Sequence, residues 1–242
     1  MARIVSMVSG KGGTGKTTLC ATVAACLAMQ GHKVLCVDLD MGLRNLDIAL
    51  GMTDEAVIPF TSVLEGTYSL EQAAKHPTIE NLYLLTAPVL DGPESVDPAA
   101  FAAMMDKARS LYDFVLLDAP AGVGPGFQLA VSCADEALLI CLGDPASIRD
   151  AARTAELLFA LPLRLVVNRV RKKVFTALNT TVDDIMDTVG LPLLGVVPDD
   201  EAVILAAAAG VPLTQYTFHG ASEACLNIAK RLCGLRSPLM RL

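Results

Sequence analysis

The sequence contains no tryptophan, only 5% aromatic residues and three histidines in 242 positions. Its few tyrosines and phenylalanines are unclustered, which leaves no stacking platform for single-stranded nucleic acid. His32, His76 and His219 are scattered and form no triad or metal set; surface or loop positions are expected for all three. Positive charge is also scarce. The 19 Lys and Arg against 26 Asp and Glu leave −7, a balance that argues against broad electrostatic adhesion to DNA. No apolar run approaches the roughly 18 residues of a membrane span. The seven cysteines, at 20, 26, 36, 133, 141, 225 and 233, include no Cys-x-x-Cys pair, so neither a zinc site nor a disulfide framework is indicated. They read as small buried hydrophobes in a reducing compartment. Met1-Ala2-Arg3-Ile4-Val5 has no secretory pattern and enters a strand at once, so a cytoplasmic location is expected.

What is present is an apolar fraction of 53%, ample for a buried core. Short Val-, Ile- and Leu-rich runs at Ile4–Val8, Val34–Val37, Leu82–Leu85, Phe114–Leu117, Ala137–Cys141, Leu163–Val167 and Leu193–Val197 read as strands. Between them, Lys16–Gln30, Pro98–Leu111, Gly126–Cys133, Ser147–Ala160, Val182–Val189, Glu201–Ala209 and Ser222–Cys233 read as helices. Strand runs without polar alternation are what a sheet covered on both faces produces. The expected fold is α/β: a doubly wound, mainly parallel sheet with helices on both faces, binding ligands at the carboxyl ends of its strands. No repeat or long linker interrupts it. A single domain over 1–234 with a short tail, 235–242, follows.

Gly10-Lys11-Gly12-Gly13-Thr14-Gly15-Lys16-Thr17 fits G-x-x-x-x-G-K-[ST], directly after the first strand and before a helix. Glycines let backbone N–H groups turn inward around an anion, and the helix start adds its positive dipole end. Lys16 is placed to reach the β- and γ-phosphates of a nucleotide, and the Thr17 hydroxyl to sit on Mg²⁺, with Thr18 following. Asp38 and Asp40 end the second strand, and Asp118 follows Phe114–Leu117. Carboxylates at strand ends face a ligand over the sheet edge, where Mg²⁺ takes hard oxygen ligands. Each alone is explained as well by turn capping. Three in this order after a phosphate loop make a more specific pattern.

With Lys11 preceding Lys16, the string Lys-Gly-Gly-Thr-Gly-Lys-Thr-Thr resembles the deviant Walker A box of the MinD/ParA family of P-loop ATPases. Asp38-Leu39-Asp40-Met41-Gly42-Leu43-Arg44-Asn45-Leu46-Asp47 is similar to the first switch of the family's MinD branch. Asp118-Ala119-Pro120-Ala121-Gly122 is similar to its second switch, in which Ser commonly stands at the place of Ala119. Ser147-Ile148-Arg149-Asp150, Asn168-Arg169-Val170 and Gly195-Val196-Val197-Pro198-Asp199-Asp200 align in order, so the likeness runs from Met1 to about residue 213.

The resemblance implies an ATPase acting as a spatial switch, with ATP/ADP and Mg²⁺ as cofactors and a homodimer in ATP. It implies that Lys11 contacts the phosphates of the partner subunit, that Asp40 orients the attacking water, and that Asp38 and Asp118 hold the magnesium shell. Asn168, Arg169, Pro198 and Asp199 would surround the adenine, and Asp150 would pair with Lys11 in a lone subunit. An activating protein, a cell-division inhibitor and an anionic membrane surface are the implied partners, with a peripheral position on the cytoplasmic face of the cell membrane. A ParA-type DNA-segregation ATPase or a flagellar-number regulator is the alternative; the acidic balance and the Gly-Leu-Arg-Asn-Leu-Asp run count against it. An iron–sulfur ATPase needs cysteines near the second switch, and Asp118–Gly126 has none. A tyrosine kinase would carry a C-terminal tyrosine cluster, and none follows Tyr216. A non-catalytic nucleotide sensor stays open. Gln128 reads equally as a dimer contact or a helix-surface residue. In the tail, apolar and cationic residues interleave around Gly234 and Pro238, a pattern that fits an interfacial anchor or a frayed terminus.

Overall fold

The computed structural model describes residues 1–41, 43–55, 57–89 and 92–240; Gly42 of the first switch and Arg241-Leu242 of the tail lie outside the described residues. These form a nine-stranded sheet from β1 (Arg3–Val8), β2 (Val34–Asp38), β3 (Ile58–Pro59), β4 (Ala74–Lys75), β5 (Leu82–Thr86), β6 (Phe114–Asp118), β7 (Glu136–Leu142), β8 (Leu163–Val170) and β9 (Leu193–Pro198). The order is β3-β5-β2-β6-β1-β7-β8-β9, all parallel, while β4 pairs antiparallel with β5. The helices are α1 (Lys16–Met29), α2 (Leu46–Ala49), α3 (Phe60–Leu64), α4 (Pro98–Leu111), α5 (Pro125–Ser132) and α6 (Pro145–Leu157). They continue with α7 (Lys172–Leu178), α8 (Val182–Val189), α9 (Ala202–Ala208), α10 (Leu213–Tyr216) and α11 (Ala221–Leu232).

Successive strand residues face opposite sides, so one apolar run feeds two cores. Ile4 and Val8 of β1 join the core shared with α4, α5 and α8, whereas Val5 and Met7 join the core shared with α1 and α11. Gly195 keeps β9 bare where Ile228 of α11 lies on it, so a side chain there would collide with that residue. Every expected strand and helix forms, with ends moved by a few residues; α6 starts earlier and stops sooner than the expected Ser147–Ala160. The short edge strands β3 and β4 and the short helices α2, α3, α7 and α10 were not legible. The two-residue strands and the helices of four or five residues carry too little periodicity to stand out, and α7 buries no residue at all.

Five cysteines are buried and Cys133 and Cys233 half-buried, all as free thiols. His76 takes a loop position after β4, one of the two positions expected of it, but is buried there and not at the surface. It is 3% exposed, its Nε2 bonds the Leu50 carbonyl at 2.8 Å, and its Nδ1 accepts from the amides of Thr78 and Ile79. A lone imidazole in an apolar fold serves here as a clamp between chain segments. Beyond α11 the chain bends back at Gly234 (φ 77°). The Arg231 guanidinium donates to the Ser237 carbonyl at 2.8 and 3.2 Å, the Ser237 hydroxyl donates to Asn227, and Met240 packs on the α1 side of the core.

Candidate functional site

The loop between β1 and α1 runs over the centre of the sheet, where β1 lies between β6 and β7. Gly13 (φ 77°) and Gly15 (φ 85°) take the left-handed conformation that L side chains resist, and so fold the loop into a concave row of amides. Gly10 is glycine for a different reason: a Cβ there would lie 2.6 Å from the backbone oxygen of Asp150. No side chain caps the N-terminus of α1, so its first N–H groups stay open to an anion.

Two adjoining clefts open on this loop. One, of about 390 Å³, is lined by Lys11, Gly12, Gly13, Thr14, Lys16 and Thr17 of the loop, and by Asp40 and Ala121. The other, of about 230 Å³, is lined by Asn168, Arg169, Pro198 and Asp199 together with Val203 and Ile204. Gly15, Thr18 and Thr22 line both. A polar half rich in amides thus joins a drier half walled by strand ends and α9.

Beneath the first cleft, Lys16 Nζ lies 3.4 Å from Asp118 Oδ1, with both side chains buried. Burial raises the Asp118 carboxyl above its usual range, with Lys16 and the Thr17 hydroxyl pulling the other way. Its Oδ2 is buried with no hydrogen-bond partner. Asp38 stands beside Asp118 in the β2–β6 register. Burial, and then the facing Asp118 charge, pushes Asp38 up to about 7 against bonds from the amides of Asp40 (2.9 Å) and Leu46 (3.2 Å). Two carboxylates held this close in a dry site leave negative charge to be met, and the orphaned Asp118 oxygen and the nearby Thr17 hydroxyl fit a small hard cation. Asp38 does not line either cleft; its two oxygens hold the first switch in place.

Lys11 is bonded elsewhere than expected. Its ammonium donates to both oxygens of Asp144, at 3.1 and 3.2 Å, and not to Asp150. Asp144 follows β7 and precedes α6 as its N-cap, accepting from Ser147 N at 3.0 Å. Asp150 lies further along the helix, where its backbone and Cβ crowd the loop at Gly10. Burial works against the Asp144 charge, but the Ser147 amide and the Lys11 ammonium outweigh it and hold the carboxyl below its ordinary value. Asp-Pro at a helix start is an N-cap signature, so Asp144 could have been found as a cap, though not as the lysine's partner. Asn168 is buried and donates to the Thr14 carbonyl at 2.7 Å, Arg169 pairs with Asp199 at 3.1 Å, and Gln128 is exposed on α5.

This fold and this cradle define a P-loop nucleotide-binding protein. Residues 5–213 match the CobQ/CobB/MinD/ParA nucleotide binding domain. The septum site-determining protein MinD of Bacillus subtilis is 36% identical over an alignment taking in 99% of this chain and 92% of that protein. A chain of the MinC:MinD cell division protein complex from Aquifex aeolicus superposes with TM-score 0.91 at 34% identity, covering 99% of both. The septum site-determining protein MinD of Pyrococcus horikoshii, complexed with Mg-ADP, gives TM-score 0.83 at 30% identity over 96% of each chain. The chain belongs to the CobQ/CobB/MinD/ParA family, within its MinD group of septum site-determining ATPases.

Proposed function

We propose that this chain is a Mg²⁺-dependent ATPase of division-site placement in which ATP joins two copies and hydrolysis releases them. The observation that carries the reading is Lys11. It sits at the mouth of a complete phosphate loop, about one-third exposed, and its hold within the subunit is a partly exposed pair with Asp144. Such pairs contribute about 0–1 kcal/mol, so a triphosphate offered by a second copy can replace it.

Within one subunit, the loop amides and Lys16 grip the phosphates, and Asn168, Arg169, Pro198 and Asp199 border the cleft for the base. Thr17, Asp118 and Asp38 would hold Mg²⁺, which would offset the charge of the phosphate oxygens. Asp40 lines the same cleft as the loop and would orient water toward the terminal phosphate. Transfer to water requires neutralised charge and a positioned nucleophile more than a strong base, and a lysine donated from the second copy meets the first need.

Further proposed partners are a cell-division inhibitor, which the MinC:MinD complex of the Aquifex neighbour supports, and, on the family resemblance alone, an activating protein and an anionic membrane surface that the tail would touch. Among the described residues no helix is long and apolar enough to cross a membrane. The tail's free energies would add in a dimer, making membrane contact ATP-dependent. A DNA partner is disfavoured by the charge of −7.

Size exclusion and phosphate release test the switch. Asp40→Ala should accumulate as a dimer in Mg-ATP, while Lys11→Ala should stay monomeric and lose on the order of 10²–10³-fold in turnover. Intact dimerisation and turnover in Lys11→Ala would reject the cross-subunit role. Sedimentation with anionic vesicles tests the tail: binding should require ATP and fall on deletion of residues 235–242. Equal binding after deletion removes the anchor.

A further inference from the structure

The side chain of Asn168 does more than border the base cleft. Its Nδ2 lies 2.7 Å from the carbonyl oxygen of Thr14 in the phosphate loop, and the residue is 6% exposed. A carbonyl only accepts, so the atom facing it must be the amide nitrogen. The placement has a cause in the sheet. Asn168 and Arg169 fall where the β8–β9 register shifts between Val167 and Val170, with Arg169 in the left-handed region (φ 54°). An irregularity of this kind turns a strand and re-aims its side chains. The loop is shaped to receive the amide: a Cβ on Gly15 would lie 2.5 Å from Asn168 Nδ2.

In a planar trans peptide the C=O of one residue and the N–H of the next point in opposite directions. Drawing the Thr14 carbonyl toward β8 therefore turns the Gly15 N–H away from β8. We infer that Asn168 is a positioning residue for phosphate binding: by holding the Thr14 carbonyl it fixes the orientation of the Gly15 amide that grips the anion, independently of any contact with the base. The inference rests on the nucleotide reading above and specifies how a base-side residue controls the phosphate side.

A ligand with phosphates and no base separates the two roles. Displacement of a fluorescent ATP analogue by Mg-ATP and by Mg-tripolyphosphate would be measured for the wild type, Asn168→Ala and the near-isosteric Asn168→Asp, with urea melts confirming folding. Each substitution should weaken tripolyphosphate about tenfold or more, the loss expected when an amide bond to an anion is misdirected. ATP should weaken by at least the same factor. Unchanged tripolyphosphate affinity with weakened ATP would overturn the proposal and leave Asn168 as a base contact only. A wild-type chain that binds neither ligand would instead overturn the nucleotide reading itself, and one that binds ATP but not tripolyphosphate would overturn the independence from the base. In the unsubstituted protein the Gly15 amide resonance should shift on addition of Mg-tripolyphosphate; an unmoved resonance overturns the proposal even if both variants fail to fold.

Discussion

At the scale of single residues, the cleft is governed by which charge meets which. Lys16 and Asp118 are buried together, so neither can be removed without stranding the other, whereas Lys11 and Asp144 meet in partial solvent and part at little cost. Asp144 also caps α6. Asp144→Ala should therefore lower stability by about 1 kcal/mol through the lost cap, read as a shifted urea midpoint with unchanged slope. It should leave ATP-dependent dimerisation in place, because in the proposed dimer the lysine turns from Asp144 to the triphosphate. Loss of the dimer with retained folding would mean that Asp144 acts in the switch itself.

At the scale of elements, the working parts are strand ends and the caps beyond them. α1 lacks a side-chain cap where an anion is to bind, while α4, α6 and α8 are capped by Asp97, Asp144 and Thr181. The first switch is anchored twice, through Asp38 to Leu46 and, past α2, through the Leu50 carbonyl to His76. Burial lowers the His76 pKa, against the Leu50 carbonyl and Glu55, which favour the charged ring. Its Nδ1 accepts two amides and has no place for a proton. The unfolded chain, with a histidine near the ordinary value of about 6.5, then binds more protons than the native one. The clamp's contribution is present above that value and is lost as pH falls from about 6.5 toward the lowered native value. Compared by urea unfolding, wild type should exceed His76→Gln in stability at pH 7.5 by more than it does at pH 5.5. A gap independent of pH would show that the ring does not titrate differently on folding.

At the scale of the whole molecule, one sheet separates two cores and its central strands present the phosphate loop at their carboxyl ends. Ligand held there ties together β1, β2, β6 and α1, and so stabilises the fold as a unit. Mg-ADP at a hundred times its dissociation constant should add about 2.7 kcal/mol and raise the melting temperature by roughly 5–10 °C. Chelating the metal should reduce that increment, and Lys16→Ala should remove it. A melting temperature indifferent to Mg-ADP in the unsubstituted protein would contradict the nucleotide reading.

The chain order of residues 10–17 was enough to read the phosphate loop, since its shape depends on neighbours in sequence and on glycine's freedom at positive φ. The seven long strands and the longer helices were legible for the same reason: apolar runs and caps act locally. Tertiary structure alone decided that Lys11 meets Asp144 and not Asp150, that His76 is buried as a clamp, and that Asn168 reaches back to Thr14. A long or re-aimed side chain chooses among groups that are distant in sequence, and only the folded sheet, with its registers and its bulge, determines which of them comes within reach.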